Sequence, residues 1–202
     1  NPEAKGEFRP RIIDTRSEFA KPADTSLVPA SVKQHLNDAQ VTGAALAIGA
    51  MSTHGGFVLA DSTGVGKTRE ILATAKHFLD KGKKVLIVGP SEVVKGKGWK
   101  EGDGVRGSYG DDGKTMGIDA KLVDGKEPLG AGISVATYNS LNAIKKHVDK
   151  NTVVIFDESH ALKNADSARS KHGLDMSDNA HSVMFATATP GDKDPHIEYL
   201  AR

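Results

Sequence analysis

Short runs of unbroken apolar residues, each closed by turn or polar residues and separated by helix-like patterns, constrain this chain more than any other feature. GFVLA at 56–60, KVLIVG at 84–89, ISVAT at 133–137, TVVIF at 152–156 and SVMFAT at 182–187 all take this form. A strand with one wet face alternates apolar and polar side chains. A strand apolar throughout is buried on both faces, as in a parallel sheet covered by helices. Helical spacing precedes the first run at Val32, Leu36, Ala39, Ala44, Ala45 and Ile48, and follows it at Ile71, Leu72, Ala75, Phe78 and Leu79. The alternation predicts an α/β fold: a mostly parallel, doubly wound sheet with helices on both faces.

A chain of 202 residues suffices for one sizeable domain with its own core. Residues 1–30 carry Pro2, Pro10, Pro22 and Pro29 among charges without a sustained period, so they read as an arm or linker before a lobe at 31–202. The stretch 102–132 is rich in Gly and Asp and reads as surface loop plus one added strand in GIDAKLVDG. A net charge of +1 advertises no basic field, so any nucleic-acid contact must come from local patches. The lysines at 81, 83, 84, 95, 97, 100, 145 and 146 read as solvated faces, and Trp99 as a packing residue. The absence of cysteine excludes disulfides, thiol catalysis and zinc-thiolate sites, and points to an intracellular setting: cytoplasm, nucleoid or nucleus. The longest apolar stretch, 43–51, falls far short of the roughly 18 residues of a membrane helix, so no membrane partner is expected. Because the chain opens on Asn1 rather than methionine, it is expected to be a piece of something longer.

The first buried run leads into DSTGVGKT at 61–68, and an amphipathic helical pattern follows. Glycines suit a loop whose backbone N–H groups must wrap phosphates closely, where side chains would collide. Here Thr63, Gly64, Val65 and Gly66 would supply that cradle. Lys67 would bring a point charge to the β and γ phosphates, Thr68 a hydroxyl to Mg²⁺, and the helix start a partial positive charge. The strict pattern GxxxxGK[ST] has glycine where Asp61 stands, so the match is a variant; a glycine-rich turn carrying a chance GKT is the bland alternative. Flanking strand and helix favour the phosphate loop, with ATP and Mg²⁺ as ligands.

At the end of the fourth run, TVVIFDESH places Asp157 and Glu158 where open α/β sheets hold ligands. Asp157 is the expected metal residue, usually acting through water, and Glu158 the expected base that orients and deprotonates a water molecule. Alone, an acidic strand end is more often a solvated turn or cap. Paired with a phosphate loop, it reads as catalytic.

LADSTGVGKT, VLIVGPSEVVKGKGWKEG, ISVATYNSL, FDESHALKN and MFATATP, in that order, resemble motifs I, Ia, Ib, II and III of superfamily-2 helicases and translocases. The resemblance spans 36–190. It is closest to the Swi/Snf-type remodelling ATPases, whose motif I often begins with Asp as at Asp61, and to strawberry-notch helicase-like proteins around GFVLADSTGVGKTRE. It implies a RecA-like P-loop lobe with ATPase activity. By the same resemblance Gln40 in HLNDAQVTG would read adenine. Pro90, Ser91, Thr137 and Tyr138 would approach a nucleic-acid backbone, DNA rather than RNA. His160, Thr187 and Thr189 would couple nucleotide state to movement. Nothing after Pro190 resembles motifs IV to VI, so the second RecA-like lobe and its arginine fingers are expected elsewhere in a parent protein. A nucleotide-dependent binding or scaffold switch without translocation is the second hypothesis, and a small-molecule P-loop kinase a weaker third.

Overall fold

The computed structural model describes residues 22–60, 66–164 and 167–188. Six strands form its sheet: β1 (Gly56–Leu59), β2 (Lys84–Gly89), β3 (Ala120–Leu122), β4 (Ile133–Thr137), β5 (Thr152–Asp157) and β6 (Ser182–Ala186). Their order is β1-β6-β5-β2-β4-β3, with every neighbouring pair parallel. The five apolar runs thus become the five longer strands, within a residue or so of their expected ends, and GIDAKLVDG supplies the short edge strand β3.

The helices are α1 (Ala30–Lys33), α2 (Asp38–His54), α3 (Lys67–Asp80), α4 (Ser91–Val94), α5 (Gly107–Met116), α6 (Leu141–Ile144) and α7 (Ala168–Asn179). The helical spacing from Val32 to Ile48 is split in two because Asn37 starts a fresh helix. Its side chain accepts from Gln40 N at 2.9 Å, while Gln40 Oε1 accepts from Asn37 N at 3.0 Å. This reciprocal capping box satisfies two backbone donors that α2 would otherwise leave open. The helix stops at Gly55, which takes the left-handed conformation (φ 79°) that a β-carbon disfavours.

Strand residues alternate between two apolar layers. Val85, Ile87, Val153 and Ile155 join α2, α3 and α5 on one face, through residues such as Ile48, Met51, Leu72, Phe78 and Tyr109. Leu86, Val88, Val154 and Phe156 join α6 and α7 on the other, with Leu141, Ile144 and Met176. Helices on both faces explain why the strands show no polar alternation.

Two expectations are corrected. Part of the segment read as an arm belongs to the lobe: Val28 is buried in the core, and Leu27 O lies 2.7 Å from His77 Nδ1 on α3. The stretch read as surface loop contains α5, whose Tyr109, Gly113 and Met116 face inward. Glycine and aspartate lower local helix propensity, but the i, i+4, i+7 spacing of these residues matches one buried face, and packing overrides propensity.

Candidate functional site

Parallel pairing brings the C-terminal ends of the strands to one edge. Leu59 stands opposite Ala186, Ala186 opposite Asp157, and Gly89 opposite Thr137. Residues that sequence analysis drew from distant motifs therefore line a single rim, where open α/β sheets bind ligands. Asp61, Thr63, Gly64 and Val65 of the phosphate loop lie outside the described residues, as does Thr189.

The loop's end is described. Gly66 caps α3 in a left-handed conformation (φ 85°), and a β-carbon there would collide with Gln40 Nε2. Gln40 itself is buried, with Nε2 donating to Gly66 O at 3.4 Å and Oε1 holding the cap of α2. The expected adenine reader thus stands beside Gly66, the last residue of the expected phosphate loop, and holds its carbonyl. Lys67 opens α3 with its side chain only 9% exposed, and Thr68 follows in the same turn, half-buried. A buried ammonium at a helix start whose last loop residue must be glycine suits a phosphate ligand.

Asp157 ends β5 and is 4% exposed. Its Oδ1 accepts from Glu158 N at 2.9 Å, and its Oδ2 accepts from the Tyr109 hydroxyl at 2.8 Å. Burial pushes the Asp157 carboxyl above the usual carboxylate range, while the Tyr109 hydrogen bond opposes that shift. The Tyr109 hydroxyl is pushed up well above its ordinary value by burial, and further by the adjacent Asp157. Sequence analysis missed Tyr109; its signal was an aromatic residue at helical spacing from Met116 inside a glycine-rich stretch.

Glu158 turns the chain away from the strand at φ 49°, the only described non-glycine residue with positive φ. Its carboxylate reaches in two directions: Oε1 is 4.0 Å from Lys67 Nζ, and Oε2 is 3.3 Å from His160 Nδ1. His160 Nδ1 is in turn 3.5 Å from the hydroxyl of Thr187, which is wholly buried at the end of β6. A continuous polar chain thus runs from the phosphate-loop lysine through the acidic strand end to the last strand.

The residues expected at a nucleic-acid backbone fall into two pairs. Pro90 is half-buried and Ser91 exposed at the end of β2, both available to a ligand at the rim. Thr137 and Tyr138, by contrast, are each 6% exposed. The Tyr138 hydroxyl donates to Asp157 O at 2.8 Å, and its ring stacks with Phe156 at 6.5 Å. Its side chain supports the acidic strand end from within and is not offered to a backbone outside. Trp99, expected to pack in the core, is instead partly exposed; its indole donates to Gly104 O at 3.1 Å, and Lys95 Nζ lies 3.9 Å from the ring centroid.

Among the described residues, no group of three or more His, Cys, Asp or Glu side chains could hold a metal by itself. Mg²⁺ does not require one. It keeps several waters and is held by one or two protein oxygens together with substrate phosphates, an arrangement that Thr68 and Asp157 fit. No described helix is long and apolar enough to cross a membrane.

A six-stranded, all-parallel sheet covered by helices, with a buried lysine at a helix start and an acidic strand end on one rim, has the form of a RecA-like lobe. Residues 29–192 match the family described as type III restriction enzyme, res subunit. The chain belongs to that family, as an N-terminal lobe of the superfamily-2 helicase and translocase type. It is 29% identical over 192 residues to the SWI/SNF-related matrix-associated actin-dependent regulator of chromatin subfamily A-like protein 1 of Xenopus laevis, a match covering 93% of this chain and 19% of that protein. The Bos taurus protein of the same name is 29% identical over 175 residues, covering 86% of this chain and 18% of that one. The chain thus spans about a fifth of the curated relatives it matches. In fold it is similar to the Sulfolobus solfataricus SWI2/SNF2 ATPase core in complex with dsDNA, with a TM-score of 0.68 and 18% identity over 86% of this chain and 36% of that one.

Proposed function

We propose that this lobe binds Mg·ATP at the rim formed by α3, β5 and β6, and that within its parent protein it hydrolyses ATP in response to duplex DNA. The observation that carries this is the chain Lys67–Glu158–His160–Thr187, which joins three sequence-distant motifs at one strand edge. Lys67 would neutralise phosphate charge, Thr68 and Asp157 would hold Mg²⁺, and Gln40 would meet the adenine. When bound, Mg²⁺ stabilises the charge that develops on the transferred phosphoryl group.

The side chains account for the remaining roles. Lys67 Nζ lies 4.0 Å from Glu158 Oε1, so the ammonium pairs with the carboxylate that is to act as base. A phosphate ligand competes for Lys67 and frees Glu158 to orient water and accept its proton. Because His160 joins Glu158 to Thr187, the same event is transmitted to the end of β6, where the chain leaves the sheet toward Thr189. Pro90 and Ser91, on the same rim, would meet a nucleic-acid backbone. The relative in complex with double-stranded DNA favours duplex DNA over RNA.

An isolated first lobe should bind ATP yet turn it over slowly, because a transition-state arginine supplied from a second lobe is worth roughly a thousandfold or more. The test is therefore ATP hydrolysis by the full-length parent protein, with and without double-stranded DNA, single-stranded DNA and RNA. Strong stimulation by the duplex is expected. Nucleotide binding with no stimulated turnover would overturn the motor and leave a nucleotide switch.

A further inference from the structure

Tyr109 is the bulkiest wholly buried side chain among the described residues, and its hydroxyl meets the carboxylate of Asp157. A carboxylate can only accept, so the tyrosine donates. Asp157 is then held at both oxygens by groups from different elements: Oδ2 by Tyr109 of α5, and Oδ1 by the backbone N–H of Glu158. Two anchors fix the plane of the carboxylate. An ionised carboxylate has about four acceptor directions, so two remain for a hydrated cation.

The helix that delivers Tyr109 is tied down at a second point. Asp112, one turn further along the same helix face, accepts from Arg69 Nε at 2.8 Å. Arg69 lies next to Thr68 in the first turn of α3, and its Nη1 also donates to His35 O at 3.0 Å. One face of α5 thus grips the neighbourhoods of both expected metal-facing groups, Asp157 through Tyr109 and Thr68 through Arg69. The fit of α5 is close: a β-carbon on Gly110 would come within 2.7 Å of Val105 O, and one on Gly107 within 2.7 Å of Val93 O.

We propose that Tyr109 is a positioning residue for Asp157, and that α5 is the brace setting the carboxylate against the first turn of α3 for a Mg·nucleotide. This rests on the Mg·ATP reading above. Partners that orient a metal-facing carboxylate typically contribute ten- to a hundredfold to metal affinity. Tyr109→Phe removes the hydroxyl and keeps the ring.

The experiment measures the affinity of a fluorescent ATP analogue for the full-length protein in Mg²⁺ and in EDTA. With Tyr109→Phe, metal-free affinity should be unchanged. The gain in affinity that Mg²⁺ confers should shrink about tenfold, and half-saturation should require correspondingly more Mg²⁺. A purely structural tyrosine would lower the melting temperature without altering the ratio of the two affinities, and that result would overturn the proposal. Should Tyr109→Phe fail to fold, Asp112→Ala carries the test alone: a smaller shift of the same ratio is expected, and an unchanged ratio overturns the brace. If the wild-type protein binds nucleotide equally with and without Mg²⁺, the Mg·ATP reading itself fails, and this inference with it.

Discussion

Glu158 occupies a backbone conformation that costs a non-glycine residue on the order of 1–3 kcal/mol, and it persists there because Asp157 Oδ1 holds its N–H at 2.9 Å. The kink turns the Glu158 side chain off the strand axis toward both Lys67 and His160. This geometry separates the roles of the two acidic residues and the lysine. Lys67→Ala removes the buried cation at the helix start and should abolish measurable nucleotide affinity. Glu158→Gln keeps size and hydrogen bonding but cannot accept a proton, so binding should remain while turnover stops. Equilibrium binding and single-turnover hydrolysis on both variants check this, and equal loss of binding in both would refute the division.

Among the elements, α5 shows most clearly where local sequence and tertiary structure part company. Alanine is a better helix former than glycine by about 0.8–1.0 kcal/mol, so propensity alone says that any helical Gly→Ala stabilises. The structure separates two cases. On α2, a β-carbon at Gly49 meets only Leu27 Cδ1 at 3.8 Å, an ordinary contact, and Gly49→Ala should stabilise by about 0.5–1 kcal/mol. On α5, a β-carbon at Gly110 would come within 2.7 Å of the backbone oxygen of Val105, which cannot swing aside. Gly110→Ala should therefore destabilise by about 1–3 kcal/mol despite the better propensity. Urea unfolding of the two variants should give shifts of opposite sign. The same contrast explains what the sequence made legible. The longer strands could be read because double-sided burial leaves an unbroken apolar run, and the same runs fix where Lys67 opens a helix and where Asp157 and Glu158 close a strand. Tyr109 and α5 were masked, because glycines that allow close backbone approach look locally like a loop and hide the i, i+4, i+7 spacing of Tyr109, Gly113 and Met116. Tyr138 was placed at the right rim but turned the wrong way, since a motif gives a position along the strand and not which way a side chain faces.

For the molecule as a whole, the sheet divides the core into two layers, and the second is built around a column of aromatic rings. Phe156 stacks on Phe185 at 5.4 Å and on Tyr138 at 6.5 Å, beneath the acidic strand end. Phe156→Ala should cost about 3–5 kcal/mol, a large share of the roughly 5–15 kcal/mol typical of a domain, as measured by denaturant midpoint. The strand order carries a different consequence. Among the described residues β1, which leads toward the expected phosphate loop, has β6 as its single neighbour, with Gly56 paired to Val183. As the chain leaves the ribosome, β1 waits for its described partner until β6, the last described strand, has been made. Such long-range closure is slow and leaves apolar edges open while it waits. The pairing that fixes β1 in the sheet therefore unites the earliest and the latest of the described strands, and can form only once β6 has been made.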